Sequence, residues 1–487
     1  MLVPSEVIGR LADARMLIGG EWRSSSSGAV LPSVDPSTEK EIARIPDATD
    51  ADVDDAVHAA HDALAAWRAM SPSQRGDRVR RLADVLERHE DELAMIDSVD
   101  SGNPLTAMRD DVRGGVRELR LFAGLVSEIK GSSVLDGADR FSYELREPYG
   151  VVGRIVAFNH PLKFAAGKTA AALVAGNTVV VKPSEHTSLS AIRLGQLAEG
   201  ILPPGVFNVV TGRGPGAGAA IAAHPAVPRV AFTGGVPAGR AVLRAGAETI
   251  KHVTLELGGK NPMIVFPDAD PRRAAAAAVK GMNFARSQGQ SCQSNSRVFV
   301  HRDISAAFTA EVVALVERFT VGDPLEPGTD LGPLTYREHY ERVMGYVDVG
   351  RREGATLLAG GERVARPGFF VPPTVFGDVD PGMTIAREEI FGPVLSLITW
   401  DDEEAVVAQA NDTSFGLTAN IWTGDLVNAH RTAHRIQAGY VWINGSGRRV
   451  PGTPFGGYKQ SGLGKESSLE EILSYCQHKV IAVSLQD

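Results

Sequence analysis

The sequence predicts an α/β protein built on parallel sheets. Three observations predict it. From residue 151 onward, short apolar runs of strand length alternate with stretches of helical length. Glycine-rich turns follow several of those runs in succession, where a strand hands over to a helix. And 487 residues exceed the roughly 250–300 at which one hydrophobic core stops growing, so two or three domains are expected.

The elements follow in order. The first ~50 residues read as strands and turns. Ile18 to Trp22 is a hairpin candidate, and turn formers punctuate Pro32 to Thr38. From Asp52 to about Met108 the pattern is helical: Val53, Ala56, Val57, Ala60, Leu64 and Trp67 recur at three- and four-residue spacings. Pro72 sits early in a second helix, and Asp110–Lys130 is a further amphipathic helix. Strands are then expected at Val151–Ala157, Thr178–Lys182, Val206–Val210, Arg229–Phe232 and His252–Glu256. Helices at Pro161–Ala175, Ala191–Gly200, Ala217–Ala223 and Ala238–Ala247 separate them. Such alternation implies a parallel sheet covered on both faces, which binds ligands at the carboxyl ends of its strands. A second alternating unit begins at strand Asn261–Val265, with helices Pro271–Ala285 and Ile304–Phe319 around strand Arg297–Val300. Later strands fall near Phe370–Val375 and Val394–Trp400, with a helix at Glu403–Asn411 and strand-like pieces at Ile421–Trp422 and Tyr440–Asn444. The tail from Ser467 ends in an apolar run at Lys479–Val483.

Composition narrows the function class. A 43% hydrophobic, 22% charged chain is an ordinary globular one. The net charge of −9 argues against nucleic acid or an anionic membrane as partner, since both demand a positive footprint. No apolar stretch approaches the roughly 20 residues of a membrane span. The first residues lack the plan of a signal peptide. Two cysteines, Cys292 and Cys476, exclude a disulfide framework, fit a reducing cytoplasmic setting, and leave no cluster at metal-ligand spacing.

Three residues are candidates for chemistry. Cys292 lies in Gly289-Gln-Ser-Cys-Gln, a polar loop between a helix and a strand. A lone cysteine is more often plain packing, but polar loops between elements are where reactive side chains sit. Glu256 closes a strand before paired glycines. It reads equally as an edge or ion-paired residue and as a half-buried general base. Asn159, between strand and helix, reads first as a helix cap and second as an oxyanion donor. Three segments then suit a nucleotide: Lys182-Pro-Ser-Glu185, Gly212 to Gly218, and Phe232-Thr-Gly-Gly235. Each follows a strand, and glycines at helix starts approach phosphates closely.

Together these segments resemble the aldehyde dehydrogenase superfamily, from about Ile18 to the C-terminus. The carrying motifs are Phe158-Asn-His-Pro-Leu162, Lys182–Glu185, Phe232–Gly235, Glu256-Leu-Gly-Gly-Lys260, Gly289–Cys292, Glu388–Pro393 and Pro454–Glu466. The resemblance implies a Rossmann-type cofactor domain (residues 1–125 and 149–258), an α/β catalytic domain (259–466) and a small β oligomerisation arm (126–148 and 467–487). It implies Cys292 as nucleophile, Glu256 as base and Asn159 as oxyanion donor, with Lys168 and Glu466 a polar pair for proton exit. It implies a cofactor site formed by Ile155, Val156, Ala157, Phe158, Lys182, Ser184, Glu185, Gly214, Pro215, Phe232, Thr233, Gly234, Gly235, Leu257, Gly258, Glu389 and Phe391. Lys182 and Glu185 would take the adenosine ribose, Glu389 the nicotinamide ribose. The implied cofactor is NAD in preference to NADP, because the Glu185 charge repels a 2′-phosphate. The implied reaction turns an aldehyde into a carboxylic acid through a thioester on Cys292, in a homodimer or homotetramer.

The sequence also departs from the family pattern. Gly235 stands where a serine is usual, and Phe158 replaces a common tryptophan. His160 and Gly167 occupy pocket-wall positions that are often aromatic. Arg286, Arg448 and Arg449 fall where relatives line the substrate tunnel with apolar groups, near Phe455. These arginines either face solvent, as most do, or make a cationic entrance for an acidic or hydroxylated aldehyde. Two other functions stay open at this level: a non-catalytic structural relative, and a CoA-acylating enzyme, which typically lacks a base at the Glu256 position.

Overall fold

The computed structural model describes residues 3–485; residues 1–2 and 486–487, the extremes of the expected terminal ranges, lie outside it. Two large sheets organise the chain. The first has eight strands in the order Gly462–Leu463, His252–Glu256, Arg229–Thr233, Val151–Ile155, Thr178–Lys182, Phe207–Val209, Met16–Ile18, Glu21–Arg23. Its five central strands are parallel, and antiparallel pieces close both edges. The second has seven: Thr356–Ala359, Thr374–Gly377, Val394–Trp400, Arg297–His301, Pro262–Val265, Thr418–Trp422, Tyr440–Ile443. All its pairings are parallel except the first.

Burial on both faces is visible residue by residue. In Thr178–Lys182, Val179 and Val181 join one core and Val180 the other. In the second sheet Ile264 and Phe299 face one side, Met263, Val265, Val298 and Val300 the opposite side. The two-residue period of a strand thus splits one apolar run between two helical layers.

Helix starts follow local chemistry. Thr49 and Ser71 each form a capping box, with Asp52 and Gln74, ahead of Asp50–Ala69 and Pro72–Arg88. The Ile18 to Trp22 hairpin turns on Gly19 and Gly20, at φ +64° and +88°.

The structure corrects several expected boundaries. Pro4–Gly9 is a helix inside the segment read as strands and turns. Val30–Asp35 is a strand despite Pro32, and the turn follows it. The helix expected over 110–130 runs Leu105–Gly124 and gives way to a short 3-10 turn. The helix expected over 271–285 stops at Gly281, because Asn283 adopts a left-handed conformation and a new turn starts at Phe284. The strand expected from Phe370 begins at Thr374, since Pro372 and Pro373 have no N–H for a ladder. Helices Arg337–Arg352, Leu426–Arg435 and Leu469–Ser474 and strand Thr356–Ala359 were not anticipated.

A third sheet joins Ser133–Leu135, Arg140–Pro148 and Cys476–Ser484, all antiparallel. Val134, Leu135 and Val480 on it are exposed. Ile472 and Tyr475 ahead of the last strand, and Cys476 at its start, pack into the core of the first sheet. Among the described residues no helix is long and apolar enough to cross a membrane.

Candidate active site

The first sheet places its motifs at one edge, as parallel strands must. Strands ending at Ile155, Lys182, Thr233 and Glu256 open into a cleft of about 290 Å³. Ile155, Val156, Ala157, Phe158, Asn159, Lys182, Ser184, Glu185, Gly214, Phe232, Thr233, Gly234, Gly235, Leu257, Gly258, Glu389 and Phe391 all line it. Of the residues expected there, Pro215 alone is absent from its walls. It is exposed on the turn Gly214–Gly218, fixing that turn from outside.

Two carboxylates shape the cleft. Lys182 Nζ donates to Glu185 at 2.9 Å, and the Gly214 N–H donates to the same carboxylate at 3.2 Å. Burial opposes the charge on Glu185, but the Lys182 ammonium outweighs it and takes the carboxyl down to about 2. Glu389 accepts from the Gly259 N–H at 2.9 Å. Gly258 permits that approach: a Cβ there would stand 1.8 Å from Glu389 Oε2. At Gly214 a Cβ would meet no protein atom within 4 Å, so this backbone borders open cleft. A paired lysine and glutamate at a strand end, a bare glycine turn and a second buried carboxylate are the donor and acceptor set of a dinucleotide with two ribose diols. These residues fit such a group.

Sequence reading missed Tyr336, His339 and Arg342, which also line the cleft. They recur at three-residue spacing on Arg337–Arg352 and its cap, a helix that was not anticipated. His339 donates to the Phe391 carbonyl at 2.7 Å, and Phe158 packs edge-on against Tyr336, His339 and Phe391.

On the opposite side of Cys292 lies a smaller chamber of about 80 Å³. Phe164, Thr233, Glu256 and Cys292 border both spaces. The Cys292 loop is pinned by Asn261, whose amide donates to the Cys292 carbonyl at 2.7 Å and the Ser294 carbonyl at 2.8 Å. Burial, then the neighbouring Glu256, pushes the Cys292 thiol up to about 12. The thiol therefore needs a base or an arriving positive charge to ionise. Glu256 Oε1 is buried without a partner. Burial and the charge of Glu466 hold the Glu256 carboxyl well above the usual carboxylate range.

Asn159 is not the helix cap that its position suggested. His160 is the N-cap residue, and it makes no side-chain cap bond. Asn159 Nδ2 instead donates to the Gln290 carbonyl at 2.9 Å, which ties it to the cysteine loop and leaves a second amide proton. Lys168 Nζ donates to Glu466 at 2.5 Å and to Thr233 at 3.0 Å. Arg154 holds the other Glu466 oxygen at 2.7 Å.

The chamber opens into a mouth of about 680 Å³. Arg286 and Arg449 border both chamber and mouth, while Arg448 borders the mouth alone. His160 and Phe455 line the chamber. Arg286 is tied to Asp111, which also accepts from His160 at 2.5 Å. Arg449 lies over the Phe455 ring at 4.2 Å.

Comparison with known proteins gives one answer. The model of the aldehyde dehydrogenase family matches residues 22–481. A hydroxyisobutyraldehyde dehydrogenase from Mycolicibacterium austroafricanum is 44% identical over 474 residues, 97% of this chain and 94% of that protein. The NAD+ complex of an aldehyde dehydrogenase from Bacillus cereus superposes with a TM-score of 0.97 at 39% identity, over 100% of this chain and 99% of that one. A betaine aldehyde dehydrogenase from Staphylococcus aureus, also in complex with NAD+, has a TM-score of 0.96 at 33% identity, over 99% and 96%.

Proposed function

The chain belongs to the aldehyde dehydrogenase family and oxidises an aldehyde with NAD as acceptor, and we propose that Cys292, Glu256 and Asn159 perform the chemistry. The supporting observation is the position of Cys292 and Glu256, on the border shared by the nucleotide-shaped cleft and the chamber that leads outside.

In this reading the Cys292 sulfur attacks the aldehyde carbon, and its proton leaves to Glu256. Asn159 and the Cys292 backbone N–H donate to the oxygen as it becomes an oxyanion. Lys182, Glu185 and Glu389 would hold NAD, which would take up the carbon's hydrogen as hydride. The oxidised carbon remains on sulfur as a thioester. Glu256 releases that proton and, ionised again, takes one from water; the hydroxide displaces the thiolate, and the acid leaves. Lys168 and Glu466 carry the proton onward. A base at Glu256 favours hydrolysis over transfer to CoA.

We assign the cofactor preference to Glu185: its charge suits the two ribose hydroxyls and disfavours a 2′-phosphate. The division into cofactor domain, catalytic domain and arm, with its boundaries near 125, 148, 258 and 466, belongs to the same reading. So does assembly into a dimer or tetramer through the exposed edges of the three-stranded sheet. A cytoplasmic setting fits the two free thiols.

The test is NADH formation from a panel of aldehydes, with and without CoA. Cys292→Ala abolishes it, and Glu256→Gln slows it, with the acyl adduct that does form persisting as a mass increase on Cys292. Oxidation that survives Cys292→Ala, or an acyl-CoA product, would contradict the assignment.

A further inference from the structure

Lys163 is the residue on the substrate side that the sequence reading passed over. It follows His160 by one turn, on the helix Pro161–Val174 that otherwise buries small and apolar side chains. It borders both the chamber beside Cys292 and the mouth outside it. Its seat is built. On the facing helix Leu105–Gly124, Gly114 stands where a Cβ would press to 3.2 Å from Lys163 Cε. Gly115 lets the two helices meet at the Lys163 backbone, with a Cβ position 3.5 Å from its Cα.

The ammonium, on a half-buried side chain, makes no hydrogen bond or ion pair among the described residues. Asp111 is taken by His160 and Arg286. Glu118 is the one carboxylate that borders both spaces. Its Oε2 rests against the backbone of Gly167, where a Cβ would stand 2.3 Å away. It forms no ion pair with Lys163. Burial, then the nearby Arg286 charge, depresses the Lys163 ammonium to about 8. Further out, the mouth adds Arg117, Lys280 and Arg448 and no other carboxylate. A half-buried, unpaired cation at the end of a positive funnel is a seat that an anion would complete.

We infer that Lys163, flanked by Arg286 and Arg449, receives a carboxylate carried at the far end of the aldehyde. The substrate class is then an aldehyde acid, ionised at neutral pH. This rests on the oxidation proposed above and narrows its substrate. Lys163 is the specificity-determining residue, and the outer arginines and lysine guide the anion inward.

The experiment compares kcat/KM for 4-oxobutanoate with that for butanal, the neutral aldehyde of equal carbon number, using the full-length enzyme and NAD. Hydroxyisobutyraldehyde, the compound in the Mycolicibacterium relative's name, is the neutral hydroxylated arm. The wild type favours 4-oxobutanoate over both. Lys163→Met lowers that ratio by about tenfold or more, chiefly through KM, and Lys163→Arg regains it. Added salt lowers the ratio in the wild type. Should Lys163→Met not fold, Arg449→Ala and the salt dependence read the same charge preference. A wild-type preference for either neutral aldehyde, or a ratio indifferent to Lys163 and to salt, overturns the assignment. Turnover of the neutral aldehydes alone removes only the carboxylate. Absence of NADH with all three removes the oxidation as well.

Discussion

Arg154 and Glu466, 312 residues apart in sequence, meet in a buried ion pair with Nη2 2.7 Å from Oε1. The second Glu466 oxygen holds Lys168. Burial alone would favour the neutral carboxyl, but the two cations keep Glu466 charged, well below the usual range. One carboxylate thus fastens the loop after Phe455 to the central strand Val151–Ile155 of the first sheet.

Removing one partner of a buried pair strands the other, which typically costs several kcal/mol. Arg154→Met is expected to destabilise the fold by roughly 3 kcal/mol, because Glu466 keeps only Lys168. A fall in the denaturant midpoint at unchanged m-value checks it. An unchanged midpoint would mean that the pair adds nothing to stability.

Glu466 also acts on Glu256. Its negative charge, after burial, lifts the Glu256 carboxyl. As a base Glu256 must be ionised, so kcat rises with pH through that raised value. Glu466→Gln removes the neighbouring charge and frees Lys168 and Arg154 to favour the Glu256 carboxylate. The acid limb of the kcat profile is therefore expected to move to lower pH, while the plateau falls for want of the onward proton route. An acid limb that stays in place would detach Glu466 from the titration.

In the proposed reading Glu185 and Lys182 set the cofactor preference. Glu185→Gln removes the charge that opposes a 2′-phosphate while Lys182 keeps its own. The ratio of kcat/KM for NAD over NADP is expected to fall about tenfold, close to 1.4 kcal/mol of discrimination. Steady-state kinetics with both cofactors decide it; an unaltered ratio would assign the preference elsewhere.

Asp100 is fully buried, accepts from Ser33 and from the Leu189 N–H at 3.0 Å, and is raised by burial to about 7 from 3.8. The folded protein then holds a proton that the unfolded chain releases. Stability from this group is complete below about pH 4 and is lost as pH rises through 7. Asp100→Asn accepts from the Leu189 N–H through its oxygen and donates to the Ser33 hydroxyl through its amide, without a charge, and is expected to flatten the pH dependence of stability between 4 and 7. Chemical denaturation across that range measures the slope.

Much of the site was legible because its parts are local. Lys182–Glu185, Phe232–Gly235 and Gly258 belong to strand ends, and parallel pairing carries strand ends to one edge. Lys163 and Tyr336, His339 and Arg342 were not legible. Lys163 looks like a stray charge on an apolar helix until Gly114, from a different helix, shows the space made for it. The other three stand on a helix that no strand-helix alternation announced. The Asn159 role inverted for a related reason. A residue before a helix reads as a cap, whereas its partner here is the Gln290 carbonyl, 131 residues away.

By itself the sequence determined the parallel α/β class, the strand-end motifs and the family, because each depends on residues a few positions apart. Only the tertiary structure decided what surrounds Cys292: a thiol pushed up by burial, the Glu256 carboxyl lifted by burial and by Glu466, and a cationic mouth beyond the chamber. Those are sums of charge and desolvation over residues that the chain brings together only on folding, and no spacing in the sequence encodes them.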